Sequence, residues 1–128
     1  MSRAFVRESD EPQLPALPPL VSPLPPGARN YLTKGGAQRL RDALARLLDQ
    51  ERPRLAQSAP ADIEAKHALQ VLDQRIRYLQ DSLRTAEVVP PPTEPGDVVR
   101  FGATVTVRET GGAEVRYRIV GVDETDPD

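Results

Sequence analysis

Two carboxylates, Asp62 and Glu64, stand at the break between two helix-forming stretches, in Leu55-Ala-Gln-Ser-Ala-Pro-Ala-Asp62-Ile-Glu64. A carboxylate pair can hold a hard cation such as Mg2+ and so support metal-activated water. The same residue types also suit the start of a helix, with Asp62 as N-cap and Glu64 at the positive end of the dipole. Residues at i and i+2 of a helix do not face each other, which favours capping. Arg52, Arg54 and Lys66 lie close by. They could meet RNA or a channel wall, or simply form a solvated charged face. His67 is the one histidine, and the chain has no cysteine. It therefore has no second imidazole or thiolate to share a metal with, and a surface role is the simpler reading. No P-loop, G-x-S-x-G or H-E-x-x-H pattern occurs, and Gly111-Gly112 reads as a turn rather than a phosphate cradle. The residues predict no catalytic group, no metal site and no cofactor of the protein's own.

The elements that would position these residues are marked out by proline. Seven of 14 prolines lie in residues 1–29, and Pro90, Pro91, Pro92 and Pro95 fall in 90–96. Proline removes an N–H and fixes φ, so neither stretch can be a regular helix or central strand. Residues 1–29 read as a proline-rich disordered or polyproline-like arm, in which Pro15-Ala-Leu-Pro18 fits a P-x-x-P ligand. Residues 90–96 read as a linker.

Between them the apolar period is helical. Thr33 is a plausible N-cap, followed by Ala37, Leu40, Leu44 and Leu47. Pro53 is expected to interrupt, with a turn over 57–61. From Asp62, Ala65, Leu69, Leu72, Ile76, Leu79, Leu83 and Ala86 recur at spacings of 4, 3, 4, 3, 4 and 3. Two such seams joined by a short turn predict an antiparallel helical hairpin, a coiled coil over 30–89. Asp42 with Arg46, Asp73 with Arg77 and Arg77 with Asp81 are candidate i,i+4 pairs on its outer faces. Tyr31 and Tyr78 are expected to pack near its base. After the linker the period becomes 2: Ala103, Val105 and Val107, a turn at Thr110-Gly-Gly112, then Val115, Tyr117 and Ile119. The fold class is therefore α+β. Two strands cannot cover their own apolar face, so 97–128 is expected to be the first hairpin of a larger lobe and the natural chain to be longer.

The chain has 128 residues, 28% of them charged, with net charge −2. Residues 33–87 carry ten basic and eight acidic side chains, and 88–128 carry four and eight. This is not the footprint of a duplex-DNA binder, and a protein partner is expected instead. No apolar run approaches a membrane span, and residues 1–10 lack the apolar core of a secretory signal. The expectation is a cytoplasmic, monomeric protein with no membrane contact.

Five stretches in order carry a resemblance. Asn30-Tyr-Leu-Thr33 with Gly36 and Leu40, Glu51-Arg-Pro53, Leu72-Asp-Gln-Arg-Ile-Arg-Tyr-Leu79, the helix end at Val88-Val89, and Phe101-Gly-Ala103 with Tyr117-Arg-Ile-Val-Gly121, Asp123 and Glu124 together resemble the bacterial GreA/GreB transcription elongation factors. The resemblance covers 30–124 with one gap. It implies an antiparallel coiled coil joined to an FKBP-like lobe, and RNA polymerase as partner. The lobe would dock at the rim of the secondary channel and the coil would reach inward. In the cleaving branch, acidic tip residues help hold a second Mg2+ in the polymerase active site.

The gap falls at the tip. The hairpin is shorter than the family's by roughly a dozen residues, which at the helix rise removes about 9 Å. No position matches the family's acidic tip motif, so no catalytic role is carried over; Asp62 and Glu64 are left as the candidate tip carboxylates. A short coil without that motif resembles the branch containing the regulator of nucleoside diphosphate kinase. The expected function is modulation of elongation through the secondary channel. Stimulated transcript cleavage is open but disfavoured, with Mg2+ shared only through the polymerase. The alternatives are a non-cleaving competitor for the channel and, from another class, a coiled-coil adaptor unrelated to polymerase.

Overall fold

The computed structural model describes residues 14–125; the start of the proline-rich arm, residues 1–13, and residues 126–128 lie outside the described part. The architecture is α+β. A short strand, β1 (Asn30–Leu32), leads into α1 (Lys34–Arg46), and α2 (Arg52–Ser58) continues it. After a single 3-10 turn over Ala59–Ala61 comes α3 (Ile63–Thr85), then β2 (Ala86–Val88). A hairpin of β3 (Thr104–Arg108) and β4 (Glu114–Arg118) follows the second proline block.

Both expected helix caps are present. Thr33 Oγ1 accepts from Gly36 N at 3.0 Å, and Asp62 Oδ1 accepts from Glu64 N at 3.0 Å. Pro53 does not break the first helical stretch as expected. Residues Leu47–Glu51 widen into a π turn, and Arg52 N–H bonds Leu47 O. The wider turn resets the register just before the proline. Pro53 then falls in the first turn of α2, where a missing N–H costs little. The chain reverses only at Ala59–Ala61, around Pro60.

α1 and α2 pack along α3 through the predicted seams. Leu32, Ala37, Leu40, Leu47, Ile76 and Leu79 form the core, with Leu44, Leu72, Leu83 and Ala86 against it. Leu32 and Leu79 are completely enclosed. Of the expected outer pairs, Asp73 instead meets Arg52 across the helices at 2.8 Å, and Asp42 accepts from Gln38 Nε2 at 2.9 Å. A cross-helix partner fixes the packing of two elements, whereas an i,i+4 pair reinforces one.

At the base, β1 and β2 pair in parallel, Asn30 with Ala86 and Leu32 with Val88. The helix therefore ends at Thr85, earlier than the expected Val88-Val89, because 86–88 are drawn into this ladder. The β3–β4 hairpin is antiparallel in the predicted alternation, with Val105 opposite Tyr117 and Val107 opposite Val115. Gly112 turns it at φ 90°. Val107 and Tyr117 remain exposed. Residues 14–29 form no regular helix or strand, as their prolines require, and lie against α3.

Candidate functional site

Two places in the fold gather polar groups, the tip of the helical pair and its base. At 1.5 Å per residue the 23 residues of α3 hold them about 35 Å apart.

The tip is simple. Asp62 is exposed and capped onto α3 through Oδ1, with Glu64 exposed in the first turn. Asp62 spends one carboxylate oxygen on the cap, and residues two apart on a helix do not face each other, which favours capping over a shared cation site. Arg52 is half-buried and held by Asp73 through two hydrogen bonds, 2.8 Å from Nε and 3.3 Å from the terminal nitrogen. That carboxylate bond, helped by the opposite charge, holds the guanidinium above its ordinary pKa. Arg52 is thus engaged within the pair, while exposed Arg54 and half-buried Lys66 make no ion pair among the described residues. His67 is exposed. Among the described residues no three His, Asp or Glu side chains gather as a metal site.

The base is elaborate, and its contacts join residues far apart in the chain. The side chain of Glu124 is fully enclosed. Its carboxylate accepts from Thr33 N at 2.8 Å, Gly121 N at 2.8 Å and the Thr33 hydroxyl, with Arg39 at 3.8 Å. It thereby satisfies the Thr33 amide at the start of α1, where the helix dipole favours negative charge, and the Gly121 amide of its own turn. The neighbouring Asp123 accepts from Tyr78 OH at 2.6 Å and from the Ser82 hydroxyl, both on α3. Burial, then the Asp123 bond, pushes the Tyr78 phenol above its usual pKa. Two consecutive carboxylates thus pin the segment after β4 to both helices.

The remaining base contacts serve the same joint. Asn30 Nδ2 donates to Ser82 O at 2.9 Å, satisfying a carbonyl near the end of α3. Tyr31 meets Phe101 with ring centroids 5.6 Å apart, tying β1 to the approach of the hairpin. A Cβ on Gly36 would lie 1.7 Å from Glu124 Oε1, and one on Gly121 would lie 2.2 Å from Tyr31 O. Both glycines are therefore required by close approach. Tyr31 and Tyr78 sit near the base, as expected. The signal that could have found Glu124 was its spacing, three residues after a glycine in a capping-type arrangement. Nothing in the periodicity shows that its target is Thr33, 91 residues away.

A family model for the C-terminal part of transcription elongation factor GreA/GreB matches residues 94–128. The chain is 38% identical over 111 residues to transcription elongation factor GreB of Neisseria meningitidis serogroup B, covering 77% of this chain and 68% of that protein. It is 34% identical over 110 residues to GreB of Haemophilus ducreyi, with the same coverage. It is 36% identical over 108 residues to GreA of an Anaeromyxobacter species, covering 74% of this chain and 65% of the relative.

Proposed function

The chain belongs to the GreA/GreB family of transcription elongation factors, and from that premise we propose that it binds RNA polymerase and modulates elongation through the secondary channel without efficient transcript cleavage. On this reading α1, α2 and α3 serve as the antiparallel coiled coil that enters the channel. The β3–β4 hairpin opens an FKBP-like lobe that docks at its rim. The intramolecular seam leaves no need for a second copy, so the working form is a cytoplasmic monomer bound to polymerase.

The observation that carries the non-cleaving part is the state of Asp62. Its Oδ1 is occupied by the Glu64 amide, and Glu64 is the one other carboxylate between residues 55 and 66. A Mg2+ shared with the polymerase would have to be met by these two, and an N-cap carboxylate two residues before a first-turn glutamate suits capping rather than joint chelation. What remains for the chain's own residues is positional. The arm fills the channel, Arg54 and Lys66 meet its wall or the RNA, and the base joint holds the arm at a fixed angle.

Backtracked, stalled polymerase tests this. The protein is expected to leave the RNA uncut and, in excess, to slow cleavage by a cleaving relative. Cleavage by the wild type would overturn the non-cleaving reading, and its loss with Asp62→Asn and Glu64→Gln would assign it to the tip carboxylates. Failure to bind polymerase would overturn the whole of it.

A further inference from the structure

Residues 14–24 lie along α3 in the same direction as the helix. Gln70 Nε2 donates to Pro15 O at 3.0 Å and Gln74 Nε2 donates to Pro18 O. The two glutamines are spaced four apart and so share one face. An extended polyproline-type chain has three residues per turn, so carbonyls three apart return to one side. Such a chain makes no internal hydrogen bonds, and its prolines offer acceptors without donors. Side-chain amide donors on one helix face suit those acceptors, and the flexible glutamine side chains span the difference between about 6 Å along the helix and about 9 Å along such a chain.

The hold is weak. Leu20 and Val21 are exposed, and Leu14, Leu17 and Leu24 are half-buried. A groove of about 880 Å³ stays open between the strap, α3 and the base. Among the described residues, Gln70 Oε1 is buried there without a partner. Among the described residues, this segment makes no strand ladder. Few buried apolar contacts and isolated side-chain bonds mark a segment of low local stability.

We propose that Gln70 and Gln74 form a short comb that reads extended proline-rich backbone, and that residues 14–24 occupy it in cis as a removable cover over a flank of the arm. The consequence rests on the polymerase-binding reading above: the cover must leave before that flank can meet the channel. A cover closed about nine-tenths of the time weakens apparent affinity roughly tenfold.

The chain has no cysteine, so Pro18→Cys with Gln74→Cys introduces its only thiols. Joined by a short bifunctional thiol reagent, they lock the cover down on full-length protein. The locked form is expected to bind polymerase at least tenfold more weakly than the same protein unjoined. Gln70→Ala with Gln74→Ala is expected to bind roughly three- to tenfold more tightly than wild type. Unchanged affinity in both variants overturns the inference, as does weaker binding by the double alanine variant, which would make the strap part of the docking surface. If no form binds polymerase, the earlier reading fails, and the cover is judged alone by thiol labelling of Pro18→Cys. Faster labelling when Gln70 and Gln74 are alanine supports the comb, and an unchanged rate overturns it.

Discussion

The base and the tip of the helical pair use similar residue types to opposite ends. At the base, Glu124 is enclosed and accepts from two backbone amides and a hydroxyl, while its neighbour Asp123 binds two side chains of α3. At the tip, Asp62 and Glu64 are exposed and make one short-range cap. A buried carboxylate is stabilising only when its hydrogen bonds are complete, so the base tolerates little change. A surface cap contributes about 1 kcal/mol and leaves its neighbours free to vary. The molecule concentrates its polar precision where the segment after β4 meets the helical pair, and leaves the far end of the pair plain.

If that contrast is right, the largest effects come from the base glycines. Gly121→Ala would place a methyl 2.2 Å from Tyr31 O and 2.8 Å from Leu32 Cδ2, the latter a fully enclosed side chain. Backbone cannot give way as a flexible side chain can. A loss of about 3–4 kcal/mol is expected in urea unfolding. A loss under about 1 kcal/mol would mean the 121–124 segment is not held to β1. Glu124→Ala should follow at about 2–3 kcal/mol, because it strands the Thr33 and Gly121 amides. Glu124→Gln keeps an acceptor and should recover part of the loss.

Tyr78 extends the comparison to pH. Its phenol is held above the ordinary value by burial and then by the Asp123 bond. A group whose folded pKa is raised adds stability that is fully present below its unfolded pKa, about 10, and is lost as pH rises through the folded value. Wild type should therefore lose stability from about pH 10 upward more steeply than Tyr78→Phe. At neutral pH that variant should cost about 1 kcal/mol for the lost bond, since the phenol is only partly buried. Equal slopes in urea titrations at pH 7 and 11 would place the phenol outside the joint.

How much of this the sequence disclosed divides along the same line. The seams, Thr33 and Asp62 as caps, the hairpin alternation and the Gly111-Gly112 turn were legible because each is local and periodic. Pro53 was misread because a lone proline signals a break, while the five-residue π turn that absorbs it carries no compositional mark. The base joint was hidden because its partners, Thr33 with Glu124 and Ser82 with Asp123, are far apart in the chain. Asp123 and Glu124 entered only as part of a family likeness. The strap was hidden likewise, since glutamine in a helix reads as solvent-facing until an extended chain lies across it.

The smallest stability effects belong to the tip. Asp62→Ala should cost about 1 kcal/mol, through the lost cap alone. Arg54→Ala with Lys66→Ala should change stability by less than about 0.5 kcal/mol, because neither side chain makes an ion pair among the described residues. Their effect should instead appear in binding. If they meet RNA or an anionic wall, polymerase affinity should fall, and its salt dependence should flatten as two charges are removed. That pairing of intact stability with altered salt dependence separates a contact surface from a merely solvated face. An unchanged salt slope would leave the tip inert and place all polymerase recognition nearer the base.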